Sequence, residues 1–244
     1  MLLGVATAVV FPLRLLMAGT GRRGVPTPLW ALPVVPPMVA AAGGAVLADI
    51  LPPGKVASSL LLFCCLPFVL TLSLGVAVLS FGYRHLLGGG QVPPAVTPSY
   101  WIPVGIAGQS TAAANFILPP AHRVLSSGAD AALHTIVVTY SAWALALGAA
   151  AAAIALWMTL GALRRGLAFS LGWWSFTFPV GTMSLGLSAF AHTVNAWWLH
   201  GLSAIVWGCL CGTVALCLVR SARLWAGGGR TPRDSHCGKA TARS

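Results

Sequence analysis

The sequence predicts an all-α polytopic membrane protein. Hydrophobic residues make up 57% of the 244, charged residues only 7%, and glutamate is absent altogether. An ordinary soluble domain is about 25% charged, so this chain lacks the polar surface to cover itself in water. The apolar residues come in continuous runs of about 20, the length that crosses roughly 30 Å of hydrocarbon. Strands of a membrane barrel would instead alternate over about ten residues. The same composition excludes disorder. Six cysteines, mostly inside apolar runs, are too sparse for a disulfide scaffold.

Seven runs qualify: residues 2–18, 30–50, 56–81, 100–118, 131–160, 169–191 and 197–219. The first is short, is interrupted by Arg14, and lacks the basic leader and cleavage pattern of a signal peptide. Turn signals separate the runs: Pro26-Thr27-Pro28, Pro52-Pro53-Gly54, Gly88-Gly89-Gly90 and Pro119-Pro120. The fifth run, with alanine at 149–153, is long enough for a tilted helix or one that leaves the bilayer.

Cationic residues set the orientation. Twelve fall on one side (Arg14, Arg22, Arg23, Arg84, Arg164, Arg165 and the six beyond residue 219) and two, Lys55 and Arg123, on the other. The first group is expected in the cytoplasm together with the C-terminus. Seven spans then leave Met1 outside, which is natural if an odd number of spans precedes it. Residues 1–220 read as the membrane domain, and 221–244, rich in Gly, Arg and Ser, as a disordered basic tail. Anionic lipid and topology account for its charge. Nucleic-acid binding is not expected, because the aromatic residues lie in the spans rather than among the basic ones.

The second, fourth and sixth spans differ from their neighbours. The second holds Pro33, Pro36, Pro37, Gly43 and Gly44; the fourth Pro103, Gly105, Gly108, Gln109, Ser110, Thr111 and Asn115; the sixth Ser175, Thr177, Pro179, Gly181, Thr182, Ser184, Gly186 and Ser188. Hydroxyls and amides favour the protein interior or a watered cavity over lipid. Proline within a span frees a carbonyl and bends the helix, so Pro36, Pro37, Pro103 and Pro179 are expected kinks. Gln109, Ser110, Thr111, Ser175 and Thr177 are the pore-lining candidates. Small residues also build tight helix contacts, and for any single glycine or serine both readings stand. An enzyme is not expected. The histidines at 85, 122, 134, 192, 200 and 236 form no ligand motif, and only Asp49, Asp130 and Asp234 are acidic. No metal or cofactor is called for, and His134 and His192 read as interfacial.

The stretches Trp101-Ile102-Pro103-Val104-Gly105-Ile106-Ala107-Gly108-Gln109-Ser110, Trp173-Trp174-Ser175-Phe176-Thr177-Phe178-Pro179 and Leu32-Pro33-Val34-Val35-Pro36-Pro37-Met38 resemble the tellurite-resistance/dicarboxylate transporter family. That family includes slow anion channels, malate permeases and sulfite efflux pumps. Its pattern often has proline where this chain has Ile106. The resemblance implies ten spans in five hairpins around a pore, the seven here being the fourth to tenth, in a homotrimer in the plasma (inner) membrane. It implies a small anionic substrate, a C4-dicarboxylate such as malate being the first choice, with sulfite- or tellurite-related or inorganic anion efflux, or a truncated non-transporting membrane subunit, as the alternatives. It also implies a phenylalanine gate at Phe178, with Phe176 as the neighbouring alternative. The spans hold no buried carboxylate relay, which fits passive, channel-like movement.

Overall fold

The computed structural model describes residues 2–17, 28–89, 94–166 and 169–226. Arg22, Arg23 and the tail from residue 227 lie outside the described residues. Among the described residues seven α-helices follow one another: α1 (Leu2–Met17), α2 (Val35–Ile50), α3 (Lys55–Leu87), α4 (Ile102–His122), α5 (Ser127–Arg164), α6 (Thr177–Val194) and α7 (Trp197–Ala226). Each lies on one expected span, and most run further. α7 carries Ser221 to Ala226 as helix, so the first six residues assigned to a disordered tail are ordered. α4 continues through Pro119 and Pro120 to His122, where the dipeptide had signalled a turn. Near a C-terminus the missing N–H groups leave only the carbonyls four residues back without partners.

Among the described residues four segments are long and apolar enough to cross a membrane: Pro28–Ile50, α3, α5 and α7. α4 and α6 are shorter and more polar, and they are the most enclosed helices of the seven. α2, α4 and α6 run parallel. Met38 and Ala42 of α2 pack on Ala113 of α4, while Ala45 and Ala48 pack further along on Ile117 and Ala121. Each is followed by a long antiparallel partner, so α2–α3, α4–α5 and α6–α7 form three hairpins of one sense. The expected alternation of inner and outer helices is thus the architecture. Outer helices carry their hydroxyls into the apolar layer by bonding their own backbone: Ser73 donates to the Val69 carbonyl at 2.8 Å and Ser80 to that of Val76 at 2.7 Å.

The prolines do not kink the inner helices midway. A 3-10 segment precedes each of them, Pro28–Val34, Pro94–Trp101 and Leu171–Phe176. Pro36, Pro37, Pro103 and Pro179 all fall in the first turn of the α-helix that follows. There the absent N–H has no intrahelical acceptor to lose. The expected kink is therefore a change of helical pitch at one end of each inner helix.

Two inner helices meet at backbone distance. A Cβ on Gly108 of α4 would stand 2.5 Å from the Met183 Cα and N of α6, and one on Gly186 would strike the Gly108 carbonyl. Thr182 Oγ1 lies 3.1 Å from the Gly105 carbonyl oxygen across the contact and 3.0 Å from that of Phe178 on its own helix. Backbone cannot move aside as a flexible side chain can. Gly108→Ala should therefore lower stability by about 3 kcal/mol, the upper range for overpacking. Gly43→Ala, with open space around it, should be neutral or stabilise by up to about 1 kcal/mol. Thermal unfolding in detergent compares the two.

Candidate functional site

The inner row fixes what each candidate side chain can face. Successive residues of an α-helix turn by about 100°. Gly105 and Gly108 of α4 meet α6, Ile102, Ile106 and Ala113 meet α2 and α3, and Ala107 meets Gly148 of α5. Gln109 thus falls between the α6-facing and α2-facing sides, opposite α5, and is 4% exposed.

Ser110 and Thr111 are placed elsewhere. Ser110 borders an apolar cleft between α3 and α5, walled by Leu79, Trp143 and Leu147. Its hydroxyl lies 3.1 Å from the Ala107 carbonyl, and the Thr111 hydroxyl lies 2.9 Å from the same oxygen. Both are buried, and the helical turn puts them on the α5 side, away from Gln109. Ser175 and Thr177 also bond locally, to the carbonyls of Gly172 and Trp174 at 2.7 and 2.8 Å. These hydroxyls tighten the turn that leads into α6.

The two phenylalanines have different surroundings. Phe176 is 8% exposed and stands edge-on to Trp101 and Trp173, with ring centres 5.6 and 5.9 Å apart. This aromatic cluster packs the start of α6 against the start of α4. Phe178 is 41% exposed, and its ring rests against Gly105, whose Cβ position is 3.3 Å from Cε1. It begins the open face of α6, which continues through Gly181, Leu185, Ser188 and His192. The structure brings Phe178 beside the α4 segment that bears Gln109. Phe176 is held in the packing.

Polar ties between neighbouring helices were not read from the sequence. Asn115 Nδ2 donates to the Thr111 carbonyl and to Ser141 Oγ of α5, both at 2.8 Å. Ser203 Oγ of α7 donates to the Ser184 carbonyl at 2.9 Å, and Ser184 Oγ lies 3.0 Å from that of Ser203. Arg123 Nη2 caps α2, reaching the carbonyls of Ala48 and Asp49 at 3.0 and 2.7 Å and Asp49 Oδ1 at 3.0 Å. Paired small polar residues on adjacent spans were the available signal. Among the described residues no three His, Cys, Asp or Glu side chains are placed to hold a metal ion together.

The family model for the voltage-dependent anion channel SLAC1 matches residues 1–222. The chain belongs to that family. Similar curated proteins are the sulfite efflux pumps SSU1 of Arthroderma otae, 27% identical over 201 residues, and of Arthroderma benhamiae and Trichophyton rubrum, each 28% identical over 201 residues. Each match covers 79% of this chain and 52% of the relative, so the chain spans about half the length of the curated relatives it matches. No solved structure matches significantly. Family and apolar helices together make this a multi-pass membrane protein.

The contrast between the two rings is testable by stability alone. Phe176→Ala should cost about 3 kcal/mol, as for a buried aromatic, and Phe178→Ala less than about 1 kcal/mol. Unfolding of both variants in detergent provides the comparison.

Proposed function

We propose that this chain forms part of a gated, channel-like path for small anions. The observation that carries the reading is the position of Phe178. It is a half-exposed ring on the open face of an inner helix, seated on Gly105 and next to the side of α4 that bears Gln109. A ring at a narrow constriction excludes water and hydrated ions until it swings aside. The neighbouring glycine offers the ring a surface without a side chain to trap it. Membership of an anion-channel family supports transport rather than catalysis.

Sulfite is the first substrate to test, because the similar proteins are sulfite efflux pumps. A C4-dicarboxylate such as malate is the second choice, and the two share the chemistry of a small, compact oxyanion. Passage down the anion's own gradient fits inner helices whose one carboxylate, Asp49, sits at the far end of α2 in an ion pair with Arg123. A plasma-membrane location, a cytoplasmic Arg-rich end and homotrimeric assembly complete the proposal. The described arginines support the orientation. Arg14, Arg84, Arg164 and Arg220 lie at or near the C-termini of α1, α3, α5 and α7, the end where the inner helices begin.

Removal of the ring should open the path. In liposomes containing the purified protein, Phe178→Ala should raise sulfite flux by roughly tenfold, equivalent to lowering the barrier by about 1.4 kcal/mol. Unchanged flux would remove Phe178 from the gate, and strict dependence on an imposed proton gradient would overturn passive movement.

A further inference from the structure

At the end opposite Arg14, Arg84, Arg164 and Arg220, α4 and α6 finish beside the start of α5 and border a cleft of about 620 Å³. Its lining includes His122 from α4, Asp130 and His134 from α5, and His192 from α6. The chain has six histidines in all, so half of them line this one space. A fourth, His200 of α7, stands edge-on to His192 with ring centres 4.5 Å apart. His122 Nδ1 lies 2.7 Å from Asp130 Oδ2. We propose that this cleft is a binding vestibule for a small oxyanion, closed to it electrostatically when the imidazoles are neutral and opened by their protonation.

The charges around the cleft come from every element that meets there. α4 supplies His122 and Arg123, α5 Asp130 and His134, α6 His192, and α7 His200. Arg123 is held by Asp49 of α2 at 3.0 Å, so that pair adds little net charge. With neutral rings the one remaining formal charge is the Asp130 carboxylate, in the first turn of α5. The carbonyl-rich C-termini of α4 and α6 meet at the same place and also disfavour an anion. Asp130 offsets the opposing field of the α5 N-terminus. An oxyanion is therefore repelled.

Histidine gains its proton within the physiological range. Protonation of the three lining histidines changes the formal sum of the cleft from one negative to two positive, with His200 adding a further charge behind His192. Each imidazolium brings N–H donors suited to oxyanion oxygens in charge-assisted hydrogen bonds. This inference rests on the anion-transport reading only for its choice of ligand, since the cleft itself is defined by its own residues.

Nitrate is the cleanest probe, because its charge stays constant across the pH range while that of sulfite does not. The whole chain in detergent should bind nitrate roughly tenfold more tightly at about pH 5.5 than at about pH 8, read as ligand-induced thermal stabilisation at each pH. The double variant His134→Gln/His192→Gln should lose that difference. Asp130→Asn should tighten nitrate binding at about pH 5.5, because the carboxylate no longer offsets the imidazolium charge, a gain that misfolding cannot imitate. Nitrate affinity that does not vary with pH, or a double variant that keeps the wild-type pH dependence, would overturn the vestibule. Wild-type liposomes separate the two readings. Flux without nitrate binding in the cleft sinks only the vestibule, and acid-dependent binding without flux of any anion sinks only the transport reading.

Discussion

The backbone contact between α4 and α6 is the constraint from which the rest of the arrangement follows. Gly105 and Gly108 on one helix and Gly186 on the other bring main chain against main chain. In a bilayer there is little hydrophobic force between helices, so packing and interhelical hydrogen bonds must hold them together. Glycine allows both at once: the backbones approach closely, and the Thr182 hydroxyl then reaches the Gly105 carbonyl. The contact fixes the parallel register of α4 and α6. It also fixes which side of α4 remains for α2 and which for α5.

α5 joins the same contact from outside. A Cβ on Gly148 would approach the Met183 methyl at 2.6 Å and Ala107 Cβ at 2.9 Å, so the outer helix presses on the residue that seals the inner pair. Asn115 and Ser141 close the next turns with a side-chain bond. Ser184 and Ser203 make the equivalent tie for α6 and α7. These two hairpins are thus joined by small polar groups that bond one another within the apolar layer.

Much of this was legible in the sequence for identifiable reasons. Continuous apolar runs located all seven helices, since burial in lipid demands a minimum length. Glycine, hydroxyl and amide content sorted inner helices from outer ones, because those groups are costly against acyl chains. Other features were hidden. Proline signals a break in hydrogen bonding but not its position, so the residues expected to bend α2, α4 and α6 turned out to start them. Ser110 and Thr111 adjoin Gln109 in sequence yet lie away from it in space, a matter of helical phase that composition does not carry. The four histidines gathered near one cleft are up to 78 positions apart, and only the parallel run of the inner helices brings them to the same end.

The three junctions between 3-10 and α-helix have a further consequence. Lengthening an inner α-helix backwards into its 3-10 lead would place Pro36, Pro37, Pro103 or Pro179 in a helix interior, at a cost of about 3 kcal/mol each. The boundary is therefore anchored and cannot migrate along the chain. Growth of an inner helix into its lead is therefore closed off as a motion, while side chains on that spine remain free to change rotamer on the far shorter timescale of side-chain exchange.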